Sequence, residues 1–187
     1  MANLEAELRI EDRIRIQDVI FRWCRAIDRR EFSAIHGYFH EDAFDDHVFY
    51  RGDITGLVAC LRQRHDSITF SMHAVSNILI EFADPELALV ESYVKVTQRR
   101  PAEADHCEPH GSRHDSKISE VYCRYVDRFE KRKGDWKIAH RTLLIDTAVE
   151  YSDREPFHRI PEAMNPNRGR RDQSDTVYLE RQKLGLS

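Results

Sequence analysis

The chain has 187 residues, a length that suits one domain with a trailing extension. Its hydrophobic fraction of 41% supports a core, while 29 Lys and Arg against 33 Asp and Glu give a net charge of −4 with no long run of one sign. That balance offers no footprint for nucleic acid or for an anionic membrane.

No apolar run approaches the roughly 20 residues of a membrane-spanning helix, and the opening Met1–Glu7 stretch is too acidic for a signal peptide. A soluble, cytoplasmic protein is expected. Cys24, Cys60, Cys107 and Cys123 stand singly, without paired metal-ligand spacing, and read as thiols rather than as a disulfide frame.

In chain order, residues 8–27 carry a helical stripe of Leu8, Ile14, Ile16, Val19, Ile20, Trp23, Cys24 and Ile27 between charged residues. Asp28-Arg29-Arg30 ends it, with Asp28 near the helical face of Trp23. Residues 32–39 predict a short helix, 43–50 a strand ended by Gly52 and Asp53, and 54–64 a third helix.

Residues 70–82 then alternate as a strand, bounded by Asp84-Pro85. Strict alternation puts His73, Val75, Asn77 and Leu79 on one face, and Met72, Ala74, Ser76, Ile78, Ile80 and Phe82 on the other. The first set mixes an imidazole and a carboxamide with aliphatic neighbours, as the wall of a ligand cavity would.

Residues 87–99 suit an antiparallel partner, and 100–116, with Pro101, Pro109 and Gly111, a loop. Two long strands follow at about 117–131 and 136–150, joined by the Arg132-Lys133-Gly134-Asp135 hairpin. The order predicts an α+β fold, a curved antiparallel sheet packed on one side by helices, spanning residues 1–150. Residues 151–187, rich in Pro and Arg, are expected to pack as an extension on the domain or on a neighbouring subunit.

Asp45, Asp46 and His47, and separately His106, His110 and His114, invite a metal reading. Neither group has a recognised ligand pattern, and Pro109 and Gly111 rule against a helix that would align the second, so no metal is expected.

Several segments together resemble SnoaL-like proteins of the NTF2-like superfamily. They are Arg22-Trp23-Cys24-Arg25-Ala26-Ile27-Asp28, Phe39-His40-Glu41-Asp42-Ala43, Met72-His73-Ala74-Val75-Ser76-Asn77, Tyr125-Val126-Asp127-Arg128-Phe129-Glu130 and Gly134-Asp135-Trp136-Lys137-Ile138-Ala139-His140-Arg141, with Arg168–Asp175 resembling the family tail. The resemblance implies a cone, a bent sheet wrapped around helices with a deep cavity.

The scytalone dehydratase and dehydrochlorinase-like branch implies cofactor-free lyases with an Asp–His dyad, here Asp28 and His73, and for some members an arginine on the last strand, here Arg141. A carboxylate that fixes the imidazole tautomer and steadies the imidazolium suits His73 as base. Arg141 would stabilise developing negative charge.

Two departures weigh on the substrate. Trp23 stands where several dehydratases carry a tyrosine, and residues 87–99 hold no second histidine. Tyr50, Tyr93, Tyr122 and Tyr125 remain open as the replacement hydroxyl, with Asn77 and Trp23 as further substrate contacts.

The resulting expectation is a cofactor-independent lyase or isomerase acting on a small apolar cyclic molecule, working as a homodimer or trimer. The alternatives are a non-catalytic small subunit of a ring-hydroxylating dioxygenase, whose last strand ends similarly to residues 138–146, and a small-molecule-binding module.

Overall fold

A computed structural model describes residues 9–101, 117–152 and 169–186. The histidine trio at 106–114, Cys107 and residues 153–168 of the expected extension lie outside the described residues.

Helix α1 (Ile10–Asp28) is followed by a 3-10 turn (Phe32–Gly37), β1 (Phe39–His47), β2 (Tyr50–Asp53) and α2 (Ile54–His65). Then come β3 (Phe70–Asp84), β4 (Leu87–Arg100), β5 (Lys117–Arg132), β6 (Asp135–Ser152) and α3 (Thr176–Lys183).

The strand expected at residues 43–50 is two strands. β1 begins at Phe39, and Val48-Phe49 turns the chain back so that His47 pairs with Tyr50. The poorly patterned end of the chain also contains order. Asp175 caps the eight-residue α3 by accepting from Val177 N, a local bond that periodicity does not reveal.

The six strands run β2-β1-β6-β5-β4-β3. All neighbouring pairs are antiparallel except β1 with β6, which is parallel. Helix α1 packs across the sheet, burying Ile16, Ile20, Trp23, Cys24 and Ile27 against Ile80, Val90, Val94, Tyr125 and Phe129.

Both ends of α1 are tied down. At its start Asp12 accepts from Trp136 Nε1 at 2.7 Å and pairs with Lys131 at 3.0 Å and Arg9 at 2.7 Å. Burial works against that carboxylate, but the three donors outweigh it and hold its pKa at about 2.

β3 departs from strict alternation. Its register with β4 slips between Ser76 and Leu79, where Asn77 takes a left-handed φ of 48°. The extra residue flips the strand, so Ser71, His73 and Val75 turn inward before it and Ile78, Ile80 and Phe82 after it. The expected common face of Met72, Ala74, Ser76, Ile78, Ile80 and Phe82 is therefore split, with Met72 48% exposed and Ile80 only 3%. A bulge lets one strand face inward with a polar stretch and then with an apolar one.

β6 does the same at Ala139, where the pairing shifts from Phe129–Ile138 to Arg128–His140 and turns both Ile138 and Arg141 into the core.

Left-handed backbone disfavours β-branched side chains. Asn77→Val is expected to lower unfolding stability by about 1–2 kcal/mol and Asn77→Gly to leave it nearly unchanged, as read from urea midpoints.

Candidate functional site

Asp28 is the last residue of α1 and 8% exposed. One oxygen, Oδ1, accepts from Ser71 Oγ–H at 2.8 Å and from His73 Nδ1–H at 2.7 Å. The other, Oδ2, accepts from the His73 backbone N–H at 2.8 Å. The carboxylate thus binds two inward-facing residues of β3 side by side, which the strand's two-residue repeat supplies.

Burial works against the Asp28 charge. The bonds from His73, through its side chain and its backbone, and from Ser71 outweigh that and carry the carboxyl below its usual range. With both Asp28 oxygens acting as acceptors, Nδ1 carries the shared proton, which in a neutral ring leaves the lone pair on Nε2.

A groove of about 300 Å³ lies beside the pair, between α1 and β3, lined by Phe21, Cys24, Arg25, Arg29 and Val75 as well as Asp28 and His73. A larger hollow of about 1200 Å³ at the other end of α1, around Arg9, Phe82 and Lys131, has its charged groups bonded to one another. It is a seam of the fold rather than a site.

Arg141 lies deeper and is fully buried. Its Nε donates to Asp127 Oδ1 at 2.7 Å and its Nη2 to Oδ2 at 2.6 Å, a bidentate pair set by direct opposition on β5 and β6. The guanidinium stacks 4.0 Å from the Tyr125 ring and 4.8 Å from that of Trp23.

Burial opposes the charge of Arg141, but Asp127 raises its pKa. The same burial pushes the Asp127 carboxyl up against Arg141's pull. Two short parallel bonds are the geometry of carboxylate and guanidinium, and the pair is charged. Asp45, opposite Arg141 across β1 and β6, binds His47 Nδ1 in the same interior.

Three buried polar atoms there have no hydrogen-bond partner among the described residues: Arg141 Nη1, Asp45 Oδ2 and Trp23 Nε1. Trp23 Nε1 still acts electrostatically on the buried Tyr125 hydroxyl, outside hydrogen-bond geometry. The Cys24 thiol feels both Arg141 and Asp28, and burial above all pushes it up to about 12. It sits electrostatically between the two clusters.

The structure therefore brings Asp28 and His73 together and gathers Arg141, Trp23 and Tyr125 into a second cluster. Tyr50 bonds its own turn, donating to Asp53 O at 2.8 Å and lying so close over Gly56 that a Cβ there would be 2.1 Å from its hydroxyl oxygen. Asn77 is exposed at the bulge, and Tyr93 is 45% exposed on the outer face of β4.

Sequence reasoning passed over Ser71 and Asp127 as site residues, and weighed Asp45 and His47 only as metal ligands. Ser71 was within reach, two residues before His73 on the same face. The opposition of Asp127 to Arg141, and of Asp45 to Arg141, depends on strand register. Among the described residues no group of three His, Cys, Asp or Glu side chains is arranged to hold a metal ion.

Removing one partner of a buried ion pair strands the other charge, at a cost of about 3–5 kcal/mol. Asp127→Ala is expected to lose stability on that scale in urea unfolding, and the double change Asp127→Leu with Arg141→Met to recover most of it.

No helix among the described residues is long and apolar enough to cross a membrane. None of the curated proteins matches the chain.

Solved structures show the fold. A candidate scytalone dehydratase from Novosphingobium aromaticivorans superposes with a TM-score of 0.64 at 19% identity, over 80% of this chain and 93% of that one. A hexachlorocyclohexane dehydrochlorinase from Novosphingobium barchaimii gives 0.62 at 15%, over 78% and 93%. The beta subunit of a candidate aromatic-ring-hydroxylating dioxygenase from Novosphingobium aromaticivorans gives 0.57 at 17%, over 75% and 92%.

Residues 8–142, which include α1, every strand pairing around Asp28 and His73, and Arg141, match the SnoaL-like domain. The chain belongs to that family.

Proposed function

We propose that this protein is a cofactor-independent lyase or isomerase for a small, largely apolar cyclic molecule, with His73 as its base. The observation that carries the reading is the 2.7 Å contact between His73 Nδ1 and Asp28 Oδ1 beside a groove. Asp28 fixes the tautomer with the Nε2 lone pair free, and remains charged to steady the imidazolium that forms.

In an elimination, Nε2 takes a ring C–H proton, the C–H electron pair becomes the new double bond, and the leaving group departs with its own bonding pair. In an isomerisation the same imidazolium returns the proton to another carbon. Arg141, fully buried against Asp127 and not among the residues lining the groove, makes no direct contact with a substrate in this reading and serves only as a positive charge behind the site.

Names of structural neighbours support a lyase class of this kind, since a candidate scytalone dehydratase and a dehydrochlorinase share the fold. The apolar residues exposed along the far half of β6, among them Leu144, Ile145 and Val149, suit a homodimer or homotrimer contact.

A panel of ring alcohols and ring halides, assayed for loss of water or halide, tests the proposal. The expected result is turnover that falls by about 10²–10⁴-fold in His73→Ala, the usual worth of a general base, and comparably in Asp28→Asn. Turnover untouched by either change contradicts the proposal. So does saturable binding without turnover, or an obligate larger partner subunit.

A further inference from the structure

Arg171 belongs to the segment after residue 168, yet its guanidinium reaches the foundations of the Asp28–His73 pair. The last carbonyls of a helix lack intrahelical partners. At the end of α1, Asp28 O accepts from Arg171 Nε at 2.8 Å. Arg171 Nη1 donates to Ile68 O, three residues before Ser71, and Nη2 donates to His65 Nδ1 at 2.8 Å at the end of α2.

One planar fork thus joins the helix end that carries Asp28, the lead-in to the strand that carries Ser71 and His73, and the helix between them in sequence. A lysine ammonium, a point charge with no fork, does not reproduce that geometry.

The turn presenting Arg171 is itself fixed. Arg170 N and Val177 N donate to the Asp175 carboxylate at 2.7 and 3.1 Å, and Ser174 N to Asp172 at 2.8 Å. Asp175 also faces Arg29 at 3.6 Å.

All the described acceptors of Arg171 are neutral: three backbone carbonyls and an imidazole. His65 can accept because burial first, and Arg171 next, hold its pKa at about 3. Burial lowers Arg171 itself to about 10, while Asp28 works the other way, so the guanidinium is a cation throughout the neutral range.

We propose that Arg171 is a positioning residue for the Asp28–His73 pair, holding the two backbone segments that carry it and placing a positive charge behind the Asp28 carboxylate. This rests on the reading of the pair as the working base.

The test uses the full chain with Arg171→Met, Arg171→Lys and Arg171→Ala, each first checked for native circular dichroism. Crystal structures of wild type and variants give the separation of Asp28 Oδ1 and His73 Nδ1. Arg171→Met is expected to widen it from 2.7 Å past the hydrogen-bond limit of about 3.2 Å, with Arg171→Lys in between.

On a turned-over ring substrate, kcat is expected to fall about a hundredfold with KM nearly constant, as small misplacements of reacting groups do. Loss of the neighbouring cation makes ionised Asp28 less favourable, so the acid limb of the pH profile should move to higher pH. Guanidinium added to Arg171→Ala should restore part of the rate.

Variants that melt earlier but keep the separation, kcat and pH profile make Arg171 a structural clamp and overturn the proposal. If wild type turns over nothing on the panel, the lyase reading fails by itself. The crystallographic separation still decides the positioning role: widening supports it and an unchanged pair overturns it. Should Arg171→Met not fold, the same criteria apply to Arg171→Lys.

Discussion

The Asp28 carboxylate joins the only long helix among the described elements to the edge strand of the sheet. Its two oxygens take three hydrogen bonds from Ser71 and His73, all within 2.8 Å. An ionised carboxylate in so buried a place is costly unless its lone pairs are used, and here they are used by donors from one neighbouring strand. The helix end therefore cannot shift along β3 without stranding a charge. The bulge at Asn77 follows from the same constraint, because without it either His73 or Ile80 would turn away from α1.

A second buried polar cluster lies deeper, and the two differ in character. Asp28 and His73 border a groove, and Asp28 engages the imidazole through Nδ1 rather than Nε2. Arg141, Asp127, Asp45 and His47 are sealed among Trp23, Phe39, Tyr125 and Phe129, with the charges matched largely against one another. Buried ion pairs of that kind add little net stability and a great deal of cost when broken. Among the described residues, Arg141 Nη1, Asp45 Oδ2 and Trp23 Nε1 in that cluster have no hydrogen-bond partner.

Much of this was legible in the sequence. The helical stripe of α1, the hairpins and the long strands follow from periodicity and turn chemistry, and the motifs around Asp28 and His73 identify the family. What was not legible depends on register and on distance in the chain. A single inserted residue at Asn77 or Ala139 reverses a strand's faces and leaves the alternation pattern superficially intact. The opposition of Asp127 to Arg141, and of Asp45 to Arg141, exists only once β1, β5 and β6 are aligned. Tyr93 and Asn77 read as cavity residues because a sequence gives residue type but not which face of the sheet is wet. Arg171 reaches Asp28 across 143 residues, through a segment whose local pattern shows only a cap and a short helix.

The central claim is that Asp28 holds His73 as a base with its Nε2 lone pair presented to the groove. Nitrogen-15 NMR of the His73 ring in the unliganded protein tests it without any knowledge of the substrate. The account predicts that the neutral ring carries its proton on Nδ1, with a strongly downfield, slowly exchanging proton signal, and that Asp28→Asn abolishes that signal and redistributes the tautomers. A ring protonated on Nε2, or one indifferent to Asp28→Asn, would contradict it.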